Sequence, residues 1–245
     1  MTRPPFDFAA LDSLLRAKVR GRSLPEKQTY DACRLGPFLE LRQATKAIPA
    51  EQRLEVTSTV ALPPTVKAAL RVSNIDLPST YDSFRIDAHK AALSAGFSSS
   101  TAAKIVAALS ELASNIIEHS DHQSSGRIAF VGGSGIFEFV VADLGIGPLN
   151  SLRKYDGYSH LSSHGEALAL MMEEGTSRFG PAAARGFGYR PLFVWLANLT
   201  GHLRFRAGDF ALELDGRFGD KLAVQLSQKP LLRGYFASVC CVGPA

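Results

Sequence analysis

The chain has 245 residues, 46% of them hydrophobic, which is enough to bury the core of one large domain or of one medium domain with an extension. It contains no apolar run long enough to cross a membrane, and its N-terminus lacks the apolar stretch and cleavage site of a secretory signal, so no membrane or secreted role is expected. The net charge of +4 is spread along the chain, which argues against a nucleic-acid-binding surface, and three cysteines without a regular spacing favour a reducing cytoplasm.

The first 75 residues are predicted to form a small folded extension, whose role the sequence does not specify. The stretch "DFAALDSLLRAKVRG" has apolar residues at helical spacing from Phe8 to Leu15, and Gly21 and Pro25 end this helix. "RLEVTSTVAL" alternates as a strand does. "LPPTVKAAL" is typical of a helix start, because proline is tolerated in the first turn.

Residues 76–228 are predicted to form the main domain, which begins with two helices and a hairpin. The first helix, "YDSFRIDAHKAALSAG", ends at Gly96. The second, "SSSTAAKIVAALSELASNIIEHS", is capped by serine or threonine and carries an apolar face through Ile105, Leu109 and Ile116. "RIAFV" and "IFEFVVADLG" are apolar runs on either side of the turn "GGSG", which predicts an antiparallel hairpin.

The remaining segments predict a loop region, another helix and further strands. Residues 148–185 are loop-like apart from the helical piece "GEALALMMEEG", and "GYRPLFVWLANLTG" is the next predicted helix. The strands "HLRFRAG", "FALELDG" and "KLAVQLS" follow with glycines between them, and residues 229–245 are predicted to be a C-terminal tail. Helices on one side of a mixed, mostly antiparallel sheet indicate an α+β fold, a two-layer α/β sandwich.

Three polar residues recur every four positions in the second helix of the main domain: Glu111, Asn115 and His119. Residues four apart lie on the same face of a helix, so these side chains form a polar ridge of about two turns beside the apolar face. An amphipathic helix can carry polar residues at this spacing by chance, so the ridge by itself is also compatible with a structural role.

Two glycine-containing motifs lie where a backbone can approach a ligand closely. In "VVADLGIGP" a strand runs into Asp143, followed by Gly145 and Gly147, and such an aspartate can accept a hydrogen bond from the exocyclic amine of a base. An ordinary Asp-Gly turn would have the same sequence. In "RGFGYRPLF", Gly186 and Gly188 precede a helix whose N-terminal amides suit a phosphate group.

Other nucleotide, metal and hydrolase chemistries are not favoured. The chain has no G-x-x-x-x-G-K-[ST] loop, which argues against a P-loop enzyme. "EHSDH" places His119 and His122 three apart, but no cysteine or third ligand is near in sequence, so a zinc site is not expected. "GGSGI" lacks the second glycine of a nucleophile elbow and lies in the predicted hairpin turn.

Together and in this order, an E-x-x-x-N helix, a D-x-G-x-G strand end and an R-G-x-G helix start resemble the GHKL family of ATP-binding domains, whose fold is called the Bergerat fold. The resemblance covers residues 78–228. It is greatest to the anti-sigma serine kinases and to stand-alone histidine-kinase-like ATPases. "DAHKAALSAGFSSSTAAKIVAALSELASNIIEHS" is similar to their first two helices, including the N-x-x-x-H ending, and "EALALMMEEGTSRFGPAAARGFGY" is similar to their lid.

The resemblance implies a role for each candidate site residue. Asn115 would coordinate the Mg²⁺ that bridges the ATP phosphates, and Glu111 would act as general base on water or on a hydroxyl. Asp143 would bind the adenine amine. The other implied site residues are Gly145 and Gly147 in the adenine pocket, Gly186 and Gly188 at the phosphates, Arg178 as a lid contact, and His119. For His119 a site role and a structural role stay equally open.

The function implied by the resemblance is that of a cytoplasmic ATP-binding regulatory protein that requires Mg²⁺. It would be an ATPase or a serine/threonine protein kinase of the anti-sigma type, acting on a STAS-like or other regulatory protein, and a homodimer is compatible with this. A histidine kinase is less favoured, because its acceptor histidine precedes the ATP domain, whereas the first histidine here, His89, lies inside that domain. The alternative is a nucleotide-gated interaction module, in which ATP orders residues 148–185 with little or no phosphotransfer.

Overall fold

The computed structural model describes residues 5–21, 27–30, 34–46, 55–58, 66–72, 78–173, 195, 199, 201–215 and 223–243. Its helices are α1 (Phe8–Val19), α2 (Leu35–Ala44), α3 (Pro78–Ser94), α4 (Ser99–His119), α5 (Gly147–Leu152) and α6 (His164–Leu170). Its strands are β1 (Lys27–Tyr30), β2 (Glu55–Ser58), β3 (Val66–Arg71), β4 (Arg127–Gly133), β5 (Ile136–Asp143), β6 (Gly201–Asp215) and β7 (Ala223–Val242). The fold of this part of the chain is α+β and is compatible with a two-layer sandwich of helices on a sheet.

A five-stranded antiparallel sheet with the order β3-β4-β5-β7-β6 forms the centre of the protein, and β1 and β2 form a separate parallel pair. The predicted hairpin is confirmed as β4 and β5, with Gly133 opposite Ile136. The two residues of its turn, Ser134 and Gly135, have φ values of 52° and 77°, the backbone that matches the twist of a tight hairpin. β5 therefore lies between β4 and β7, and its end at Asp143 is held in the sheet.

One face of the sheet is covered by α3 and α4. The hydroxyl of Ser98 accepts a hydrogen bond from the backbone N–H of Thr101 at 3.2 Å, which confirms the predicted cap of α4. The predicted apolar face of α4 is buried, and Ile105, Leu109 and Ile116 belong to the same core cluster as the phenylalanines of β4 and β5. Burial of this stripe, rather than helix propensity alone, accounts for a stable 21-residue helix at this position.

The opposite face of the sheet is covered by α1 and α2, which together are called the N-terminal segment. Phe8 of α1 and Leu35 and Leu39 of α2 pack against Val140 and Phe236 of the sheet. The two helices also bury apolar side chains between themselves: Phe6, Leu11, Leu14, Leu15 and Leu41. The N-terminal helices therefore form an additional layer on the same sheet.

A buried cluster of six charged side chains joins the N-terminal segment to the sheet. Arg204 of β6 donates to Glu40 of α2 at 2.9 Å, to Asp12 of α1 at 2.6 Å and to Glu213 at 2.7 Å. Arg206 also pairs with Glu40, and Lys229 pairs with Asp12 at 2.5 Å. Arg204, Arg206 and Glu40 are 0% exposed, so each charge depends on its partners to offset the loss of water. Three cations face three carboxylates, and the cluster is formally neutral.

Two predictions of secondary structure are wrong, one in the N-terminal region and one among the last strands. The stretch "LPPTVKAAL" was expected to begin a helix, but Val66–Arg71 form β3, which pairs with β4 at the edge of the sheet. Pairing with an existing edge has outweighed local helix propensity. "HLRFRAG" and "FALELDG" were expected to be separate strands, but they form the single strand β6. Gly208, with a φ of 54°, marks a bulge rather than a turn between them.

The predicted C-terminal tail is also different. Residues 229–242 of the segment 229–245 form the second half of β7, which pairs with β5 from Asp143 opposite Tyr235 to Ile136 opposite Val242. Residues 235–239 of this segment, "YFASV", are buried between β5 and β6 and between two helical layers, which is why this run does not alternate. The predicted helix "GYRPLFVWLANLTG" lies mainly outside the described residues. Within it, Trp195 and Leu199 contact the core.

Candidate functional site

The polar ridge on α4 lies beside the buried stripe of the helix, as predicted. Glu111 is exposed, whereas Asn115 and His119 are half-buried. At 1.5 Å per residue, the ridge from Glu111 to His119 is about 12 Å long. The ridge therefore changes from solvent at its carboxylate to a partly enclosed environment at its imidazole.

The loop after β5 meets the C-terminal end of this ridge. The backbone N–H of Ile146 donates to the carbonyl oxygen of Ser120 at 3.0 Å, directly after α4 ends. A Cβ atom on Gly145 would collide with that same carbonyl oxygen, so only glycine allows this contact. Asn115 lies five residues before Ser120, about 7.5 Å along the helix axis. Two motifs that lie far apart in the sequence thus converge at one place.

Glycine is required at position 147 for a different structural reason. Its φ is 72°, in the left-handed region, and a Cβ on it would lie 3.1 Å from the carbonyl oxygen of Gly234 in β7. α5 begins at Gly147, with Pro148 in its first turn, where a missing N–H has no cost. Gly145 and Gly147 therefore allow the loop to pack against the end of α4 on one side and against β7 on the other.

Asp143 is buried at the bottom of this loop, with 3% of its surface exposed. Burial raises the pKa of Asp143 from its usual 3.8 to about 6, although hydrogen bonds from the backbone amides of Gly145 and Tyr235 and the nearby His122 oppose the shift. The Gly145 N–H donates to Oδ1 of Asp143 at 2.6 Å. A carboxylate offers about four lone-pair positions, so these amides do not exhaust its capacity to accept an exocyclic amine.

Further residues that the sequence analysis did not single out support this loop. The hydroxyl of Ser125 accepts from the backbone N–H of Leu144 at 2.9 Å. The amide of Gln43, on α2, donates to the backbone carbonyl oxygen of Asp143 at 2.9 Å and to that of Arg233 at 2.9 Å. The N-terminal segment thus contacts the base of the candidate site from the other side of the sheet. No sequence motif predicts these contacts, because each of them joins residues that are far apart in the chain.

The raised pKa of Asp143 predicts a carboxyl that titrates near pH 6 in the folded protein. Because the folded pKa lies above the usual 3.8, the proton binds more tightly in the folded state. Asp143 therefore contributes stability that is fully present below about pH 4 and is lost as the pH rises through about 6. The ¹³C carboxyl resonance of Asp143, assigned by its disappearance in Asp143→Asn, measures this directly. A midpoint near pH 4 would contradict the prediction.

The remaining predicted site residues, Arg178, Gly186 and Gly188, lie outside the described residues. The described part of the expected lid contains α5 and α6. Glu166 and Ser163 form a capping box at the start of α6, and His164 Nδ1 lies 2.9 Å from Oδ1 of Asp209 in β6. The contact between His164 and Asp209 attaches α6 to the sheet next to the bulge at Gly208.

The ridge on α4 offers one half-buried amide oxygen, that of Asn115, as a ligand for a metal ion. Within the described ranges, no group of three His, Cys, Asp or Glu side chains is arranged to hold a metal ion. Mg²⁺ that enters with a nucleotide needs one or two protein oxygens, since phosphates and water complete its shell. The half-buried amide of Asn115 can supply one such oxygen.

The described helices include none that is long and apolar enough to cross a membrane.

Comparison with protein-family models, curated proteins and solved structures finds no match for this chain. The candidate site consists of a ridge with a carboxylate, an amide and an imidazole, and of a buried carboxylate at the glycine-containing end of β5.

Proposed function

We propose that this chain binds Mg²⁺-ATP between α4 and the loop after β5, and that it is an ATPase or a serine/threonine protein kinase of the GHKL type. The observation that carries the proposal is the contact between Ile146 and Ser120. This contact brings the strand end at Asp143 to the end of the helix that bears Asn115. Two of the three motifs of the sequence resemblance, the ridge on α4 and the strand end at Asp143, therefore lie close together.

The environments of the ridge residues are suited to different tasks. Asn115 is half-buried and would hold Mg²⁺ through its amide oxygen, while the exposed Glu111 can reach a water molecule or the hydroxyl of a partner protein. The bound nucleotide would supply the transferable phosphoryl group. Glu111 would accept the proton of the attacking hydroxyl, and Asp143 would accept a hydrogen bond from the adenine amine.

Thermal unfolding with and without Mg²⁺-ATP tests the binding site. A ligand at about a hundred times its Kd adds roughly 2.7 kcal/mol to the free energy of unfolding, so the wild-type midpoint should rise when both Mg²⁺ and ATP are present. Asn115→Ala should abolish this rise, because it removes the metal-binding oxygen. The matched control is Ser114→Ala, which alters an exposed neighbour on the same helix and should keep the rise.

Either of two results would reject the proposal as stated. A wild-type midpoint that Mg²⁺-ATP does not move means that the chain has no functional nucleotide site. A rise that persists unchanged in Asn115→Ala means that the nucleotide binds elsewhere or without the ridge. A STAS-like protein is the proposed phosphate acceptor, and incubation with labelled ATP would reveal transfer to a serine or threonine of such a partner.

A further inference from the structure

A bulge in β7 lies directly beside the end of β5. Asp143 forms the last pair between β5 and β7, with Tyr235 opposite it. Immediately before Tyr235, the pairing of β7 with β6 skips two residues, Arg233 and Gly234. Bulges of this kind are common next to binding sites, where they change the direction of a side chain. β7 thus leaves its regular path at the point where the candidate site begins.

Gly234 brings this bulge into contact with the backbone of Asp143. Its φ is 80°, in the left-handed region, and a Cβ on it would lie 2.1 Å from the carbonyl oxygen of Asp143. The backbone N–H of the next residue, Tyr235, donates to the carboxyl of Asp143, as the N–H of Gly145 does. The bulge therefore contacts Asp143 twice, at its backbone carbonyl and at its carboxyl.

The side chain of Gln43 holds the bulge from α2, on the other face of the sheet. Its Nε2 donates to the carbonyl oxygens of Asp143 and Arg233, both at 2.9 Å, and lies 3.4 Å from the carbonyl oxygen of Tyr235. An amide nitrogen carries two hydrogens, so the two shorter contacts use both of them. One side chain thus joins the last residue of β5 to the backbone on either side of Gly234.

These contacts determine the direction of the Asp143 carboxyl. The N–H of Tyr235 that donates to this carboxyl lies between the two bulge carbonyls that Gln43 contacts, so its direction depends on Gln43. A hydrogen bond weakens steeply when donor and acceptor are misaligned. The lone pairs of the carboxyl that remain for a ligand therefore point in one direction only while the bulge is held in place.

We propose that Gln43 is the positioning residue for Asp143, and that it sets the preference of the candidate site for a base with an exocyclic amine over a base with a carbonyl oxygen at the same position. The base preference rests on the proposed function, in which Asp143 binds the adenine amine. An ionised carboxyl accepts a hydrogen bond from an amine, whereas a carbonyl oxygen offers it no donor. Gln43 lies on the other face of the sheet and acts only through Asp143.

The first test needs no nucleotide. Gln43→Met keeps the length of the side chain but removes its N–H groups, and the ¹³C carboxyl resonance of Asp143 is followed against pH. Burial is the largest cause of the raised pKa of Asp143, so a loosened loop that admits water should lower the midpoint from about 6, by about 0.5 or more. Gln43→Asn keeps the amide but shortens its reach by one methylene group. It should have the same effect, and it replaces Gln43→Met if that variant does not fold.

The second test compares ATP with inosine triphosphate (ITP), which carries a carbonyl oxygen in place of the adenine amine. The Kd of each is measured from thermal unfolding at a pH well above 6, where Asp143 is ionised. In Gln43→Met the preference for ATP should fall by about threefold or more. A general loosening of α2 would weaken both nucleotides alike and leave their ratio unaltered.

The matched control is Gln228→Met, the same substitution at an exposed glutamine of β7 that donates to Asp209. It should change neither the Asp143 midpoint nor the nucleotide ratio. A folded Gln43→Met protein in which Asp143 titrates as in the wild type would overturn the proposal. A lowered midpoint with an unchanged ratio of ATP to ITP affinity would overturn the role of Gln43 in base preference. A wild-type chain that binds neither nucleotide would reject the proposed function and the base preference with it, whereas the titration would still decide whether Gln43 positions Asp143.

Discussion

Replacing Glu40 by alanine is expected to lower the free energy of unfolding by about 3 to 5 kcal/mol, because it leaves two buried guanidinium groups without their shared carboxylate. Glu40 is 0% exposed and accepts from both Arg204 and Arg206, which are also 0% exposed. Neither arginine can be neutralised at accessible pH. The uncompensated charge must therefore draw water in or separate α2 from the sheet. Denaturant unfolding measures the loss as a lower midpoint concentration, with the dependence of the unfolding free energy on denaturant, the m-value, the same in both proteins.

The matched control for this variant is Asp82→Ala. It breaks the pair of Asp82 with Arg85 on α3, in which the side chains are 63% and 47% exposed. An exposed pair of this kind contributes about 0.5 kcal/mol or less, so the control should unfold almost as the wild type does. If Glu40→Ala lost no more stability than Asp82→Ala, the buried cluster would not be what holds the N-terminal segment on the sheet.

Removing the carboxylate of Glu111 is expected to lower ATP turnover by about 10²- to 10⁴-fold while leaving ATP affinity unchanged, the range that a positioned general base contributes. This expectation depends on the proposed function. The measurement is ADP release under saturating Mg²⁺-ATP for Glu111→Ala, with affinity determined separately from the thermal shift. Ser114→Ala is the control, since Ser114 is exposed on the same helix but outside the ridge.

The outcome distinguishes the two functional hypotheses. Turnover that is equal in Glu111→Ala and the wild type would contradict the role of Glu111 as base. A wild-type chain that binds Mg²⁺-ATP but releases no ADP and phosphorylates no partner would favour the nucleotide-gated interaction module. In that case the lid segment at 148–185 would be the place to look for a nucleotide-dependent surface.

The contact from Gln43 connects these two predictions. Glu40 and Gln43 lie one turn apart on α2, so Glu40 holds the helix to β6 while Gln43 reaches the carbonyl of Asp143. Loosening α2 by Glu40→Ala would remove a support of the loop after β5 without altering any ridge residue. The N-terminal segment, to which no role could be assigned from its sequence, therefore stabilises the loop that carries Asp143.

Local patterns predicted the elements whose partners lie nearby in the chain. The 3.6-residue periodicity and serine cap of α4, and the apolar runs and glycine turn of the β4–β5 hairpin, are determined by neighbouring residues. The ridge of Glu111, Asn115 and His119 follows from the same helical spacing. In each case the physical cause acts over a few residues, so a sequence window contains it.

Only the tertiary structure decided which faces are covered and which motifs meet. "LRFR" in β6 alternates as a half-exposed strand does, yet Arg204 and Arg206 are buried because α1 and α2 cover that face with Asp12 and Glu40. β3 became a strand because the edge of β4 offered hydrogen bonds, and residues 229–242 became part of β7 because β5 and β6 are their neighbours. The approach of Asp143 to α4 depends on Ser120 and Ile146 meeting across the fold. Such outcomes result from burial and strand pairing between distant segments. A short stretch of sequence does not contain both partners of these contacts, so it cannot predict their free energy.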